Sequence, residues 1–204
     1  MILISDFVKE FFVLFSEQKT FRPWEITRNL PNILKDMISR LDSNYKIENN
    51  IAVHKTAKVE QGVILKPPII VNENCFIGAN SYLRGGVYLG KSVTVGPGCE
   101  IKTSIIFEGS TIAHFNFISD SLIGSHVNFE AGSVIANYHN DRNEKIIFVS
   151  YQSTIIDTHS EKFGALVGDD SKIGANAVLS PGTILTAGSI VKRLELIDQQ
   201  LKVH

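Results

Sequence analysis

The sequence predicts an all-β fold, a solenoid of short parallel strands, with a helical segment at its N-terminus. Three observations carry that prediction. An apolar residue falls at every sixth position from Ile47 through Val53, Val59 and onward to Ile101. After one dropped residue the series resumes at Ile106, Ile112 and Ile118, and after another at Ile123, Phe129 and Ile135. It returns at Val167, Ile173, Leu179, Leu185 and Val191, giving 21 anchors, all aliphatic or Phe, in a chain only 44% apolar. Four residues beyond an anchor the side chain is usually small or β-branched, as at Ala57, Ser81, Cys99, Ser133, Ser171 and Ala177. Glycine, Asn and Asp crowd the positions between, as turns require. A period of six has no 3.6-residue component and excludes one amphipathic helix. It suits strands that each turn a corner and stack about 4.8 Å apart.

Residues 1–46 lack the period. Ser5 can cap a helix over roughly 6–16, apolar nearly all round (Phe7, Val8, Phe11, Phe12, Leu14, Phe15), which must be covered on most sides. Pro23 suits a first helical position, and Ile26, Leu30, Ile33, Leu34, Met37, Ile38 and Leu41 follow at 3/4 spacing. Pro31 should kink or restart that helix. The expected organisation is a helical cap over 1–46, packed on the first coil, and a solenoid over 47–193. A loop or hairpin at 139–166 interrupts the solenoid, and 194–204 form a tail. Within the insertion, KIIFVSY and TIIDT flank Gln152-Ser153 like hairpin strands. Binding and subunit contact are both open roles for it.

Composition narrows the function classes. The chain has 204 residues, with 20 Lys plus Arg against 21 Asp plus Glu, so nothing draws it to nucleic acid or an anionic membrane. No apolar run approaches the roughly 18 residues of a membrane span. The N-terminal stretch carries Asp6, Lys9 and Glu10 without a basic start, which argues against a signal peptide and for a cytoplasmic protein. Two cysteines, Cys75 and Cys99, match no metal spacing and fall in the small inward slot.

Arg84 and Lys102 each follow an anchor and lie 18 residues apart, one coil if three hexads close a turn. Cations stacked about 5 Å apart repel unless an anion lies beside them. An anion site and a splayed, solvated pair both fit. His114 reads alone as either a functional or a surface histidine. His114, His126 and His139 occupy different hexad places and project differently, which disfavours a three-His metal site within one subunit.

The stretch from Tyr82 to Gly188 resembles a known family. YLRGG, EIKTS, the run AHFNFISDSLIGSHVNFEAGSVIANYHND and FGALVGDDSKIGANAVLSPGTIL are similar to the acetyltransferase domain of bacterial bifunctional glucosamine-1-phosphate acetyltransferase/uridylyltransferase and its archaeal sugar-phosphate relatives. These are hexapeptide-repeat acyltransferases. The resemblance implies a left-handed parallel β-helix and a homotrimer with sites between subunits. It implies acetyl-CoA as co-substrate and no metal. It assigns Arg84 and Lys102 to the sugar phosphate, His114 to general base and Asn128 to the sugar. Phe117 falls in the substrate site where the family has Tyr. Asn137 and Tyr138 fall beside the thioester, Asn137 with an oxyanion role, and Ala175 falls among the donor-binding coils. Glu130 replaces a family Gly. The activity so implied is N-acetylation of an amino-sugar 1-phosphate or related nucleotide sugar. Acyl-carrier-protein-dependent acylation of a UDP-sugar and a non-catalytic sugar-phosphate-binding module are the alternatives.

Overall fold

The computed structural model describes residues 2–199. The chain winds as a parallel β-solenoid whose coils present three flat faces. Face I stacks rungs 51–53, 69–71, 87–89, 104–106, 122–123, 165–167 and 183–185. Face II is a seven-stranded sheet from Lys58–Val59 to Ile190–Val191. Face III stacks rungs 64–65, 82–84, 100–102, 117–119, 134–135, 178–179 and 196–197. In this register each residue sits over the one 18 or 17 positions earlier, or 44 earlier where the insertion intervenes. The anchors therefore meet inside: every one from Val71 to Val191 is buried.

Both ends of the expected solenoid shift. Ile47 is not a core anchor: Tyr45–Glu48 runs antiparallel to Ile51–His54, and Ile47 is 44% exposed. That antiparallel strand covers the edge of the first rung, which parallel stacking alone would leave open. At the other end Leu196–Ile197 pairs in parallel with Val178–Leu179, so the solenoid runs past 193. Of the expected tail 194–204, residues 200–204 lie outside the described residues.

The two dropped residues fall at one corner, between faces III and I. Arg84 pairs with Lys102 and Val87 with Ser104, so Gly85 and Gly86 oppose the single Thr103. Thr103 and, one coil on, Asp120 both take positive φ (45° and 49°) to close the tighter bend. The insertion leaves from this same corner, after Asn137, and returns at Gly164, whose N–H donates to the Asp120 carbonyl.

The N-terminal segment does not cap the first coil. It lies along face I, over a second apolar column that points outward: Ala52, Ile70, Tyr88, Ile105, Leu122, Leu166 and Ile184, all buried. The expected helix over 6–16 is instead a 3-10 turn (Ile4–Asp6), a short helix α1 (Phe11–Leu14) and another 3-10 turn (Ser16–Gln18). A straight helix with apolar residues all round would leave half of them in water. Repeated bending turns Ile2, Ile4, Phe7, Val8, Phe11 and Phe15 toward the column. Helix α2 (Pro23–Ser39) runs through Pro31 without restarting. Burial of Trp24, Ile26, Leu30 and Leu34 outweighs the roughly 3 kcal/mol an internal proline costs. Gly86 makes the approach possible: its φ is +97°, and a Cβ there would meet the Pro31 nitrogen at 3.3 Å.

The insertion folds back on this layer as an antiparallel hairpin, Phe148–Tyr151 with Thr154–Asp157. Ile147, Val149 and Phe163 are buried in the same cluster, and Phe163 meets Trp24 edge-on at 5.7 Å. No helix among the described residues is long and apolar enough to cross a membrane.

Phe11 stacks on Phe15 and touches Phe107, so Phe11→Ala should lower the unfolding free energy by about 3–5 kcal/mol. Denaturant titration checks this, and a loss below about 1 kcal/mol would mean that face I does not depend on its cover.

Candidate active site

Face III carries most of the candidate residues at its two edges. At the III–I corner, Arg84 and Lys102 are in register on adjacent rungs. Their mutual repulsion is relieved by the chain itself. Arg84 Nε and Nη2 donate to Glu100 Oε1 at 2.8 and 2.7 Å, and the guanidinium lies 5.6 Å from the Tyr82 ring. Lys102 Nζ donates to Asp120 Oδ2 at 2.9 Å. The same oxygen accepts from Ser119 Oγ and from Asn137 Nδ2, each at 2.6 Å. Asp120 is only 7% exposed, so this is a well-shielded junction of four side chains. Tyr138 follows Asn137 outward, with Lys145 Nζ 5.2 Å from its ring.

The II–III corner carries the other candidates. His114, Ala131 and Ala175 occupy it on successive rungs, because Thr111, Asn128 and Lys172 are in register three residues earlier. His114 is exposed, and its carbonyl accepts from Gly132 N–H at 2.8 Å. Buried Asn116 staples this corner: its Nδ2 donates to the His114 carbonyl and its Oδ1 accepts from Ser133 N–H. Phe115, beside the histidine, holds φ +54° with its ring 72% exposed. A left-handed Phe is a strained state that persists here because the corner repeats it coil after coil at Asn80, Gly98, Gly132 and Asn176.

Asn128 is exposed on face II, at the mouth of a cleft of about 540 Å³ lined also by Glu130, Lys172, Lys192 and Arg193. Glu130 is held by Arg193 through two bonds of 2.7 Å and accepts the Ala175 N–H at 2.9 Å. The Ala175 amide, assigned by resemblance to the acyl donor, is thus occupied by a side chain of this chain. The Arg193 guanidinium and the Ala175 N–H bring the Glu130 carboxyl down to about 2.

The structure therefore gathers Arg84, Lys102, Asn137 and Tyr138 at one corner. It places His114, Asn128 and Ala175 at or near the other, with Phe117 half-buried on the face between. Within one chain His114 stands the width of a rung from Lys102. Sequence reasoning missed Glu100 and Asp120. Their signals were present: Glu100 lies two residues before Lys102, hence on the same side of the strand, and Asp120 lies 18 residues after it. His114, His126 and His139 sit at three different corners, and among the described residues no three His, Cys, Asp or Glu side chains are grouped to hold a metal. His139 is buried, which pushes its pKa below the usual histidine value.

Residues 164–192 match the hexapeptide repeat of succinyl-transferase, and residues 65–156 match the GMPPB C-terminal domain. The chain belongs to the hexapeptide-repeat family. A relative in this family from Methanococcus maripaludis, named bifunctional protein GlmU, is 32% identical over 186 residues, 88% of this chain and 44% of its own length. A bifunctional sugar-1-phosphate nucleotidylyltransferase/acetyltransferase from Sulfurisphaera tokodaii is 31% identical, over 84% of this chain and 45% of its own. The hexapeptide chain thus spans less than half the length of these relatives. A hexapeptide transferase family protein from Anaplasma phagocytophilum superposes with TM-score 0.40 at 19% identity, over 71% of this chain and 70% of that one.

The Glu130 carboxyl should titrate near pH 2, as followed by its side-chain 13C resonance. Because its folded value is depressed, the stability drawn from this pair is fully present above the ordinary glutamate range, about 4.3, and is lost as pH falls through 2. Titration near 4 would show the Arg193 contact to be absent in solution.

Proposed function

We propose that this chain is an acetyl-CoA-dependent N-acetyltransferase of an amino-sugar 1-phosphate or related nucleotide sugar, working in the cytoplasm as a homotrimer. The observation that carries the reading is the split of the candidate residues between the two edges of face III. Across that face runs an outward column of Ile64, Tyr82, Phe117, Val134, Val178 and Leu196, broken by Glu100 between Tyr82 and Phe117; its middle is half-buried, and Ile64 and Leu196 at its ends are 53% and 63% exposed. Face I is already covered by the chain's own N-terminal layer. A second copy laid against face III would cover the column and bring one chain's His114 corner to the other's Lys102 corner. The name of the Sulfurisphaera tokodaii relative, a bifunctional sugar-1-phosphate nucleotidylyltransferase/acetyltransferase, supports this reading.

In this reading His114 accepts the proton that the substrate ammonium must lose before its nitrogen can attack a thioester carbonyl. An exposed imidazole on a rigid corner suits that role, and a positioned base supplies roughly 10²–10⁴ in rate. Arg84 and Lys102 orient the phosphate. Asn137 Nδ2 spends one hydrogen on Asp120, leaving the second for the carbonyl oxygen as it gains charge. Tyr138 and the Lys172–Lys192–Arg193 side of the face II cleft would hold the donor, which supplies the acetyl group. Phe117 and Asn128 contact the sugar. The nitrogen loses two protons in becoming an amide: His114 passes one to the departing thiolate and the other leaves to solvent, so no covalent enzyme intermediate is needed.

One observation favours a second reading, a sugar-phosphate-binding module without turnover: Glu130 closes the Ala175 amide. Thiol release from acetyl-CoA across a panel of amino-sugar 1-phosphates separates the two. His114→Ala should reduce release by about 10²–10⁴ with the fold intact by circular dichroism. Unchanged release would remove His114 from the mechanism, and binding without release would favour the module. Light scattering should give three chains of 22.6 kDa, and a monomer would overturn the shared site.

A further inference from the structure

The stacked cations of the III–I corner do not by themselves offer positive charge. Arg84 is paired with Glu100 and Lys102 with Asp120, so that quartet is neutral. A dianionic phosphate arriving there needs cations from elsewhere, and the fold brings two. A cleft of about 450 Å³ opens directly on Lys102 and Asp120. Its other walls are α2, through Thr27, Arg28 and Pro31, and the return of the insertion, through Ser160, Glu161 and Lys162. This size falls within the roughly 300–1,000 Å³ range of small-molecule sites. Among the described residues no carboxylate pairs with Arg28 or Lys162; Arg28 Nη2 donates to a neutral carbonyl, that of His159, at 2.9 Å. Three cations thus face two carboxylates, one of them, Asp120, already engaged by three donors at its Oδ2.

The walls are built rather than loose. Buried Thr158 donates to the Ile147 and Ser160 carbonyls, and its Oγ1 accepts the Ser160 N–H. Ser160 Oγ in turn bonds the Lys162 carbonyl and accepts its N–H. Phe163 N–H donates to the Asn137 carbonyl, joining the insertion's return to the proposed oxyanion residue.

We propose that Arg28 of α2 and Lys162 of the insertion grip the phosphate of the substrate, while the Lys102–Asp120 pair, with Gly85 and Thr103, forms the floor on which it sits. Specificity for a phosphorylated sugar then resides outside the hexapeptide coils, in the two segments that interrupt or precede them. The inference rests on the acetyltransferase reading for its substrate, but the anion site itself does not.

The test uses the full chain and three probes: glucosamine 1-phosphate, unphosphorylated glucosamine and inorganic phosphate. Arg28→Gln and Lys162→Gln should each raise KM for the phosphorylated sugar about three- to tenfold, with kcat falling less than twofold. Arg28→Lys should restore part of the loss, and the unphosphorylated sugar should be indifferent to all three changes. Calorimetric binding of inorganic phosphate should weaken by the same factor, and its salt dependence should become shallower. Equal losses for both sugars would assign Arg28 to holding the insertion alone and would overturn the proposal, as would no loss in either variant. If no sugar is turned over but phosphate binding still weakens in both variants, the acetyltransferase reading falls and the anion site stands. Failure of wild-type protein to bind phosphate overturns the anion site.

Discussion

Parallel stacking in fixed register is the constraint on which the molecule depends. Each rung's backbone groups are satisfied mainly by the rungs above and below, so residue i must sit over residue i+18, i+17 where a corner is shortened, or i+44 across the insertion. Whatever lies at one hexad place therefore becomes a column along the solenoid. The anchors make a dry interior column, lined at the corners by small side chains whose hydroxyls and thiols bond backbone carbonyls, as Ser81 does to Gly96 and Cys75 to Gly90. Those thiols are structural: burial pushes Cys75 up to about 11.

Irregularity is concentrated at a single corner, where Arg84, Lys102, Asn137 and Tyr138 also gather. Between faces III and I the chain gives up one residue twice, spends a Gly-Gly pair on the approach of α2, and then departs for the insertion. Each departure from the repeat moves a side chain that an ideal coil would have pointed elsewhere. Asp120 is the clearest case: its left-handed backbone turns the carboxylate to meet Lys102, Ser119 and Asn137 together. A buried carboxylate with three donors holds all of them in place, which is how a site on a one-dimensional scaffold acquires rigidity across rungs.

The three faces are used differently because they differ in what covers them. The outward column of face I is as apolar as the interior and cannot face water, so the N-terminal segment and the hairpin are committed to it. That commitment carries Arg28 and Lys162 to the edge of the III–I corner. Face II is mostly polar outward, with Lys58, Thr94, Thr111, Asn128 and Lys172 on its rungs. Face III keeps partly exposed apolar residues, such as Ile64 and Leu196, flanked by His114 on one edge and the Asp120 junction on the other.

The hexad period by itself determined the parallel solenoid, the inward anchors, the small slot holding both cysteines and the stacking of Arg84 on Lys102. These depend only on period and register, which a linear sequence displays directly. The motif run from Arg84 to Tyr138 supplied candidate residues by resemblance. The shape of the N-terminal segment was not legible, because a locally helical pattern can be bent by a distant apolar column at Ile70, Ile105 and Leu166 that no local window contains. Nor were the ion pairs of the III–I corner: Glu100 and Asp120 were in the sequence, but only the folded geometry shows them engaged with Arg84 and Lys102. Arg28 and Lys162 stand 134 residues apart with no motif joining them. Only the tertiary packing of α2 and the insertion against one corner places them around one cleft, because burial of Trp24 on Phe163 depends on three-dimensional complementarity rather than on spacing.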